Sequence, residues 1–128
     1  LGTARAHTMA RLGTLSRHGI AFALHSDYTM APAQPLNSAW VAVNRKNVAG
    51  DIVGPEERVS VEQALRAITA DAAYVLGLEH EVGTLQPGKR ADFTVLEQDP
   101  FEVPPEDLRD IKIWGTVFGG TPAPLKDN

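Results

Sequence analysis

Cysteine is absent from the 128 residues. This excludes a disulfide scaffold, a thiolate nucleophile and a thiolate-ligated zinc centre, and it fits a reducing compartment. Basic runs are absent too. Nothing longer than the pairs Arg45-Lys46 and Lys89-Arg90 occurs, and 12 Lys+Arg stand against 16 Asp+Glu for a net charge of −4. A phosphate backbone finds no basic stripe here, so no nucleic-acid partner is expected. No apolar run approaches the roughly 20 residues of a membrane span, and Leu1-Gly2-Thr3 does not open a charged-then-apolar leader. A soluble, cytoplasmic chain with no membrane partner is therefore expected. Gly-x-Gly-x-x-Gly and phosphate-loop patterns are missing, which leaves a nucleotide cradle without support. His7, His18, His25 and His80 never fall at His-x-His or His-Glu-x-x-His spacing. A self-contained zinc site, which needs three or four converging ligands, is not encoded.

What is present is an apolar fraction of 43% against 22% charged, enough for a core of ordinary density, punctuated by 11 Gly and 9 Pro. The chain starts without Met on a segment that already reads as helix, which suggests a piece of something longer. Met9, Leu12 and Leu15 recur at helical spacing, His18 lies in the last turn, and Gly19 is the expected stop. Ile20-Ala21-Phe22-Ala23-Leu24-His25 then alternates as a strand with Ile20, Phe22 and Leu24 on one face, and Ala21, Ala23, His25 and Asp27 on the other. Both faces are uncharged until the end, as in a parallel sheet buried on two sides. From Tyr28 to about Pro55 the pattern is irregular, so a functional loop region is expected there, with Trp40-Val41-Ala42-Val43 as a short helix or strand. Ser60 and Gln63 form a capping box before a helical stripe from Val61 to Leu76, which Thr69-Ala70-Asp71 can split, and Gly77 ends it. Beyond it, Val82–Leu85, Asp92–Leu96 and Ile111–Phe118 read as β-structure, with at most one helical turn between Asp99 and Leu108.

The chemistry rests on His25 and Asp27, side by side at the C-terminal end of the expected strand. In parallel α/β folds that end carries the active site. A carboxylate there can ligate a divalent cation and accept the proton of an attacking water. The plainer readings are an Asx-turn or helix cap for Asp27 and a satisfied core position for His25. Tyr28, Met30 and Trp40 read as pocket lining or as ordinary loop packing, and Glu56-Glu57-Arg58 as a solvated turn.

His25-Ser26-Asp27-Tyr28, Ala31-Pro32, Pro35-Leu36, Ala42-Val43-Asn44-Arg45, Gly54-Pro55-Glu56-Glu57-Arg58, Ser60-Val61-Glu62-Gln63-Ala64-Leu65 and Gly83-Thr84-Leu85-Gln86-Pro87-Gly88-Lys89-Arg90-Ala91-Asp92-Phe93 together resemble the C-terminal part of metal-dependent amidohydrolases, nearest the YtcJ-like branch. The resemblance runs from about Met9 to Pro122. Its Pro-Gly-Lys-x-Ala-Asp segment marks the superfamily and says little about substrate. The implied fold is α/β: the C-terminal fragment of a distorted (β/α)8 barrel, residues 1–80, followed by C-terminal strands of a small composite β-sandwich, residues 81–128. Ile20–His25 would be the eighth barrel strand. Asp27 would match the aspartate that binds metal and activates water, with His25 and Tyr28 as substrate contacts.

The implied activity is hydrolysis of an amide-type C–N bond of a small-molecule substrate through a metal-bound hydroxide. The implied cofactor is a divalent metal, Zn²⁺ by default. One carboxylate cannot hold that ion, so the piece is expected to be inactive and metal-free alone. Its unpaired strand edge is expected to drive self-association or association with the missing N-terminal part. The alternative is a non-catalytic α+β interaction or structural module.

Overall fold

The computed structural model describes residues 2–125. Its helices are α1 (Thr3–His7), α2 (Leu12–Arg17), α3 (Pro35–Asn44), α4 (Val61–Ala67) and α5 (Ala70–Val75), with 3-10 helices at Pro55–Glu57 and Pro105–Asp110. Three strands, β1 (Phe93–Leu96), β2 (Ile113–Phe118) and β3 (Thr121–Pro124), form an antiparallel sheet in the order β1-β2-β3. No helix among the described residues is long and apolar enough to cross a membrane.

The expected opening helix is two helices. Ala10 takes a left-handed backbone between them, and the carbonyls of Met9 and Ala10 accept hydrogen bonds from the Arg45 guanidinium at 2.7 and 3.0 Å instead of helical N–H groups. α2 ends as the sequence predicts. Gly19 sits at φ +67°, its N–H reaches Ser16 C=O, and Ile20 N–H reaches Leu15 C=O, both at 3.0 Å. This is a Schellman closure of the kind glycine permits.

Ile20–His25 does not form the expected barrel strand. Among the described residues no strand pairs with it, and past the α2 closure at Ile20 its backbone bond to another element is Leu24 N–H to Ala67 C=O at 3.0 Å. A parallel strand needs neighbours on its edges, and the described residues supply none. The alternation is kept only in part: Phe22 and Leu24 pack on the core and Ala21 and His25 are exposed, but Ile20, on the face of Phe22 and Leu24, is also exposed and Ala23 is half-buried.

The expected loop region from Tyr28 to Pro55 holds the centre of the core instead. Pro35 opens α3 at its first turn, where a missing N–H costs nothing. Leu36, Ala39, Trp40 and Val43 then form an i, i+3, i+4, i+7 stripe buried against Val59, Ala64, Leu108 and Ile111. Trp40-Val41-Ala42-Val43 is therefore helical.

The capping box is made on both sides, with Gln63 N–H to Ser60 Oγ at 3.1 Å and Ser60 N–H to Gln63 Oε1 at 2.9 Å. The helix does break at Thr69, but the Thr69 hydroxyl donates back to Leu65 C=O at 2.7 Å and does not cap α5. Val82–Leu85 forms turns rather than β-structure, held by the Lys89 ammonium at 2.6 Å from Thr84 Oγ1. The Pro105–Asp110 helix is longer than the single turn expected, and it delivers the fully buried Leu108 beneath α3.

Candidate functional site

α2 points the chain into residues 20–26, and that segment ends in a tight turn carrying the predicted site. Asp27 has φ +50°, a left-handed backbone that aspartate tolerates better than most residues. Its C=O accepts Met30 N–H at 2.7 Å, which closes the turn. Its N–H donates to His25 Nδ1 at 3.2 Å. A ring nitrogen that accepts this N–H carries no proton of its own, which leaves Nε2 as the donor atom of the His25 ring.

The Asp27 side chain is exposed. Among the described residues its carboxylate makes no hydrogen bond and no ion pair, so the Asx-turn reading of its side chain is not realised. Tyr28 and Met30, at 75% and 83% exposure, flank it in the same turn. His25, Asp27, Tyr28 and Met30 are thus brought together, whereas Trp40 belongs to the core.

A divalent cation would find one acidic ligand in that turn. No group of three or more His, Asp or Glu side chains converges among the described residues, so the chain on its own does not fit a complete metal centre. The Asp27 carboxylate does fit as a single hard ligand, being anionic, exposed and without a competing partner.

Around α2 lies a network that the sequence does not announce. Glu57, read above as part of a solvated turn, is buried. Its carboxylate accepts the backbone N–H and the hydroxyl of Thr14, both at 2.6 Å, with Arg17 at 3.7 Å and Arg11 at 3.8 Å. The Thr14 hydroxyl bond holds the Glu57 carboxyl below its ordinary value; burial opposes this, and the Thr14 N–H, Arg17 and Arg11 assist. Gly13 allows the approach, because a Cβ there would lie 2.7 Å from Glu56 O and 2.8 Å from Glu57 Cα.

Glu57 therefore fixes α2, the helix that leads into the Asp27 segment. A carboxyl whose folded value is lowered stabilises the fold at pH above its unfolded value, and this contribution is lost as pH falls through the lowered folded value. The thermal midpoint is expected to fall on acidification below about pH 4.5, the ordinary glutamate value. The fall should be shallower in Glu57→Gln; parallel curves for the two proteins would remove Glu57 from this role. A distant carboxylate partner for Thr14 leaves no local pattern, which is why only the Glu56-Glu57 pair itself stands out in the sequence.

Residues 1–124 match the model of the Amidohydrolase family, and the chain belongs to that family. It is 33% identical over 102 residues to an N-substituted formamide deformylase of Arthrobacter pascens, covering 80% of this chain and 19% of that protein. It is 34% identical over 123 residues to the putative amidohydrolase YtcJ of Bacillus subtilis, covering 94% of this chain and 23% of that one. An amidohydrolase crystal structure from Thermotoga maritima shares the fold with a TM-score of 0.62 at 22% identity, over 87% of this chain and 25% of the other. The chain thus spans about a fifth of the length of the curated relatives it matches.

Proposed function

We propose that this chain is the C-terminal part of a metal-dependent amidohydrolase that cleaves an amide-type C–N bond of a small molecule. Residues 1–80 would close a (β/α)8 barrel and residues 81–128 would contribute to a flanking β-sandwich. The observation that carries the reading is the unengaged, exposed Asp27 carboxylate in a turn shared with His25, within a chain that matches the family over residues 1–124. Asp27 takes the proton of the attacking water and later returns it to the leaving nitrogen. His25 offers Nε2–H to the substrate, and Tyr28 lines the approach. A divalent cation, Zn²⁺ by default for a His/Asp site, supplies Lewis acidity when bound, with its other ligands on the rest of the polypeptide. The relative named for N-substituted formamides supports that substrate class as the first to assay.

The test is hydrolysis by the full-length protein with its metal content measured in parallel. Chelation should abolish turnover and Zn²⁺ should restore it, while turnover indifferent to both treatments would reject metal dependence. Residues 1–128 alone are expected to be inactive and to self-associate through the unpaired Ile20–His25 segment, or to associate with the N-terminal part when it is supplied. Monomeric sedimentation together with uniform amide protection of Ile20–His25 would count against that association.

A further inference from the structure

α4 ends where the sequence gives it no glycine or proline to end on, since none occurs between Ala67 and Val75. The backbone nevertheless breaks at Thr69, with φ −133° and ψ −95°. The Thr69 hydroxyl donates to Leu65 C=O at 2.7 Å, and a back-bond of this kind, from residue i to i−4, bends helices. The Arg66–Asp71 pair at 2.7 Å spans the break at the surface, where an ion pair contributes little.

The last carbonyls of a helix have no intrahelical donor and take partners from elsewhere. Leu65 C=O takes the Thr69 hydroxyl, Arg66 C=O takes Thr69 N–H at 3.0 Å, and Ala67 C=O takes Leu24 N–H at 3.0 Å. Ala67 is fully buried, so water does not stand in for that donor. In an unbroken helix the Ala67 carbonyl would accept the N–H of Asp71, four residues on, and Leu24 would lose its acceptor. Leu24 lies three residues before Asp27. The Asp27 turn is closed by its own bonds, Met30 N–H to Asp27 C=O and Asp27 N–H to His25 Nδ1. Among the described residues Leu24 is therefore the nearest backbone tie between that turn and a helix.

We propose that Thr69 is a positioning residue for the hydrolysis: by ending α4 it leaves Ala67 C=O to hold Leu24 N–H, and that bond sets where the Asp27 carboxylate stands. The proposal rests on Asp27 serving as the base, as described above. Thr69 lies outside the Asp27 turn and acts on it through Ala67 and Leu24.

The experiment assays full-length Thr69→Ala and Thr69→Ser on an N-substituted formamide. Alanine removes the back-bond and favours a continuous helix, whereas serine keeps the hydroxyl. Thr69 is exposed, so neither variant disturbs the core. In Thr69→Ala, kcat is expected to fall about 10–100-fold, the scale of a misplacement of about 1 Å, with KM within about twofold and bound metal unchanged. Amide exchange in the peptide covering residues 20–27 should quicken in the same variant. Thr69→Ser should bring kcat and exchange back to within about threefold of the parent. Should alanine impair folding, Thr69→Val drops the hydroxyl, keeps the branched shape and is read in the same way. Unchanged kcat, unchanged exchange over residues 20–27, a loss shared equally by KM and metal content, or a loss that serine does not restore would overturn the proposal. If instead Asp27→Asn hydrolyses the amide like the parent, it is the assignment of Asp27 that fails, and the two failures are thereby told apart.

Discussion

Asp27→Asn in the full-length enzyme is expected to lower kcat by about 10²–10⁴-fold, the range attached to a positioned general base. The substitution is chosen for what it preserves. Asp27 sits at φ +50°, and asparagine accepts that left-handed backbone about as readily as aspartate does, so the turn to Met30 survives. The side chain is exposed and holds no partner among the described residues, so the unfolding midpoint of residues 1–128 alone should not move. Only the negative charge and the basic oxygen are lost. Measuring bound metal in the variant separates the two roles proposed for this residue. Metal retained with kcat lost identifies the base, whereas metal lost with kcat identifies the ligand. Asp27→Glu moves the carboxylate out by one methylene and should also be impaired, because proton transfer depends on hydrogen-bond reach. A kcat for Asp27→Asn within about threefold of the parent would remove Asp27 from the chemistry.

The sequence makes these residues legible in proportion to how local their interactions are. Ser60 and Gln63 satisfy each other across one turn, and α2 closes through Gly19 N–H to Ser16 C=O and Ile20 N–H to Leu15 C=O, so short spacing suffices to find both. The α3 stripe of Leu36, Ala39, Trp40 and Val43 is equally local. It is obscured by Pro32 and Pro35, which read as loop punctuation although Pro35 occupies the helix position where proline is accepted. Residues 20–25 show the converse. Their alternation identifies Phe22 and Leu24, though not the exposed Ile20, as core-facing, yet a strand exists only if a neighbour pairs with it, and pairing is not a property of six residues. Glu57 and Arg45 lie beyond local pattern altogether. Glu57 meets Thr14 across 43 positions, and Arg45 meets Met9 across 36. A charged residue recruited to distant backbone groups looks, in one dimension, like any other surface charge.

Trp40→Ala is expected to cost about 3–5 kcal/mol of stability, the usual penalty for emptying a buried tryptophan site. Trp40 is 7% exposed and lies among Leu36, Val43, Leu108 and Ile111, so no loop is free to collapse into the space it leaves. Two polar links go with the ring. Its Nε1–H donates to Glu106 C=O at 2.6 Å, and the Arg109 guanidinium stacks 3.9 Å from the ring centroid. Both tie α3 to the Pro105–Asp110 helix that carries Leu108, and Asn44 adds a third tie through Pro105 C=O at 2.8 Å. Trp40→Phe keeps most of the apolar volume but leaves the Glu106 carbonyl without its donor, and should cost about 1–3 kcal/mol. Trp114, 45% exposed on β2, is the internal comparison: Trp114→Ala should cost less than either Trp40 variant. Urea unfolding followed by far-ultraviolet circular dichroism at one fixed protein concentration orders the three variants, since association shifts every midpoint with concentration. If Trp40→Ala and Trp114→Ala unfold together, the cluster around α3 is not what holds α3 to the Pro105–Asp110 helix.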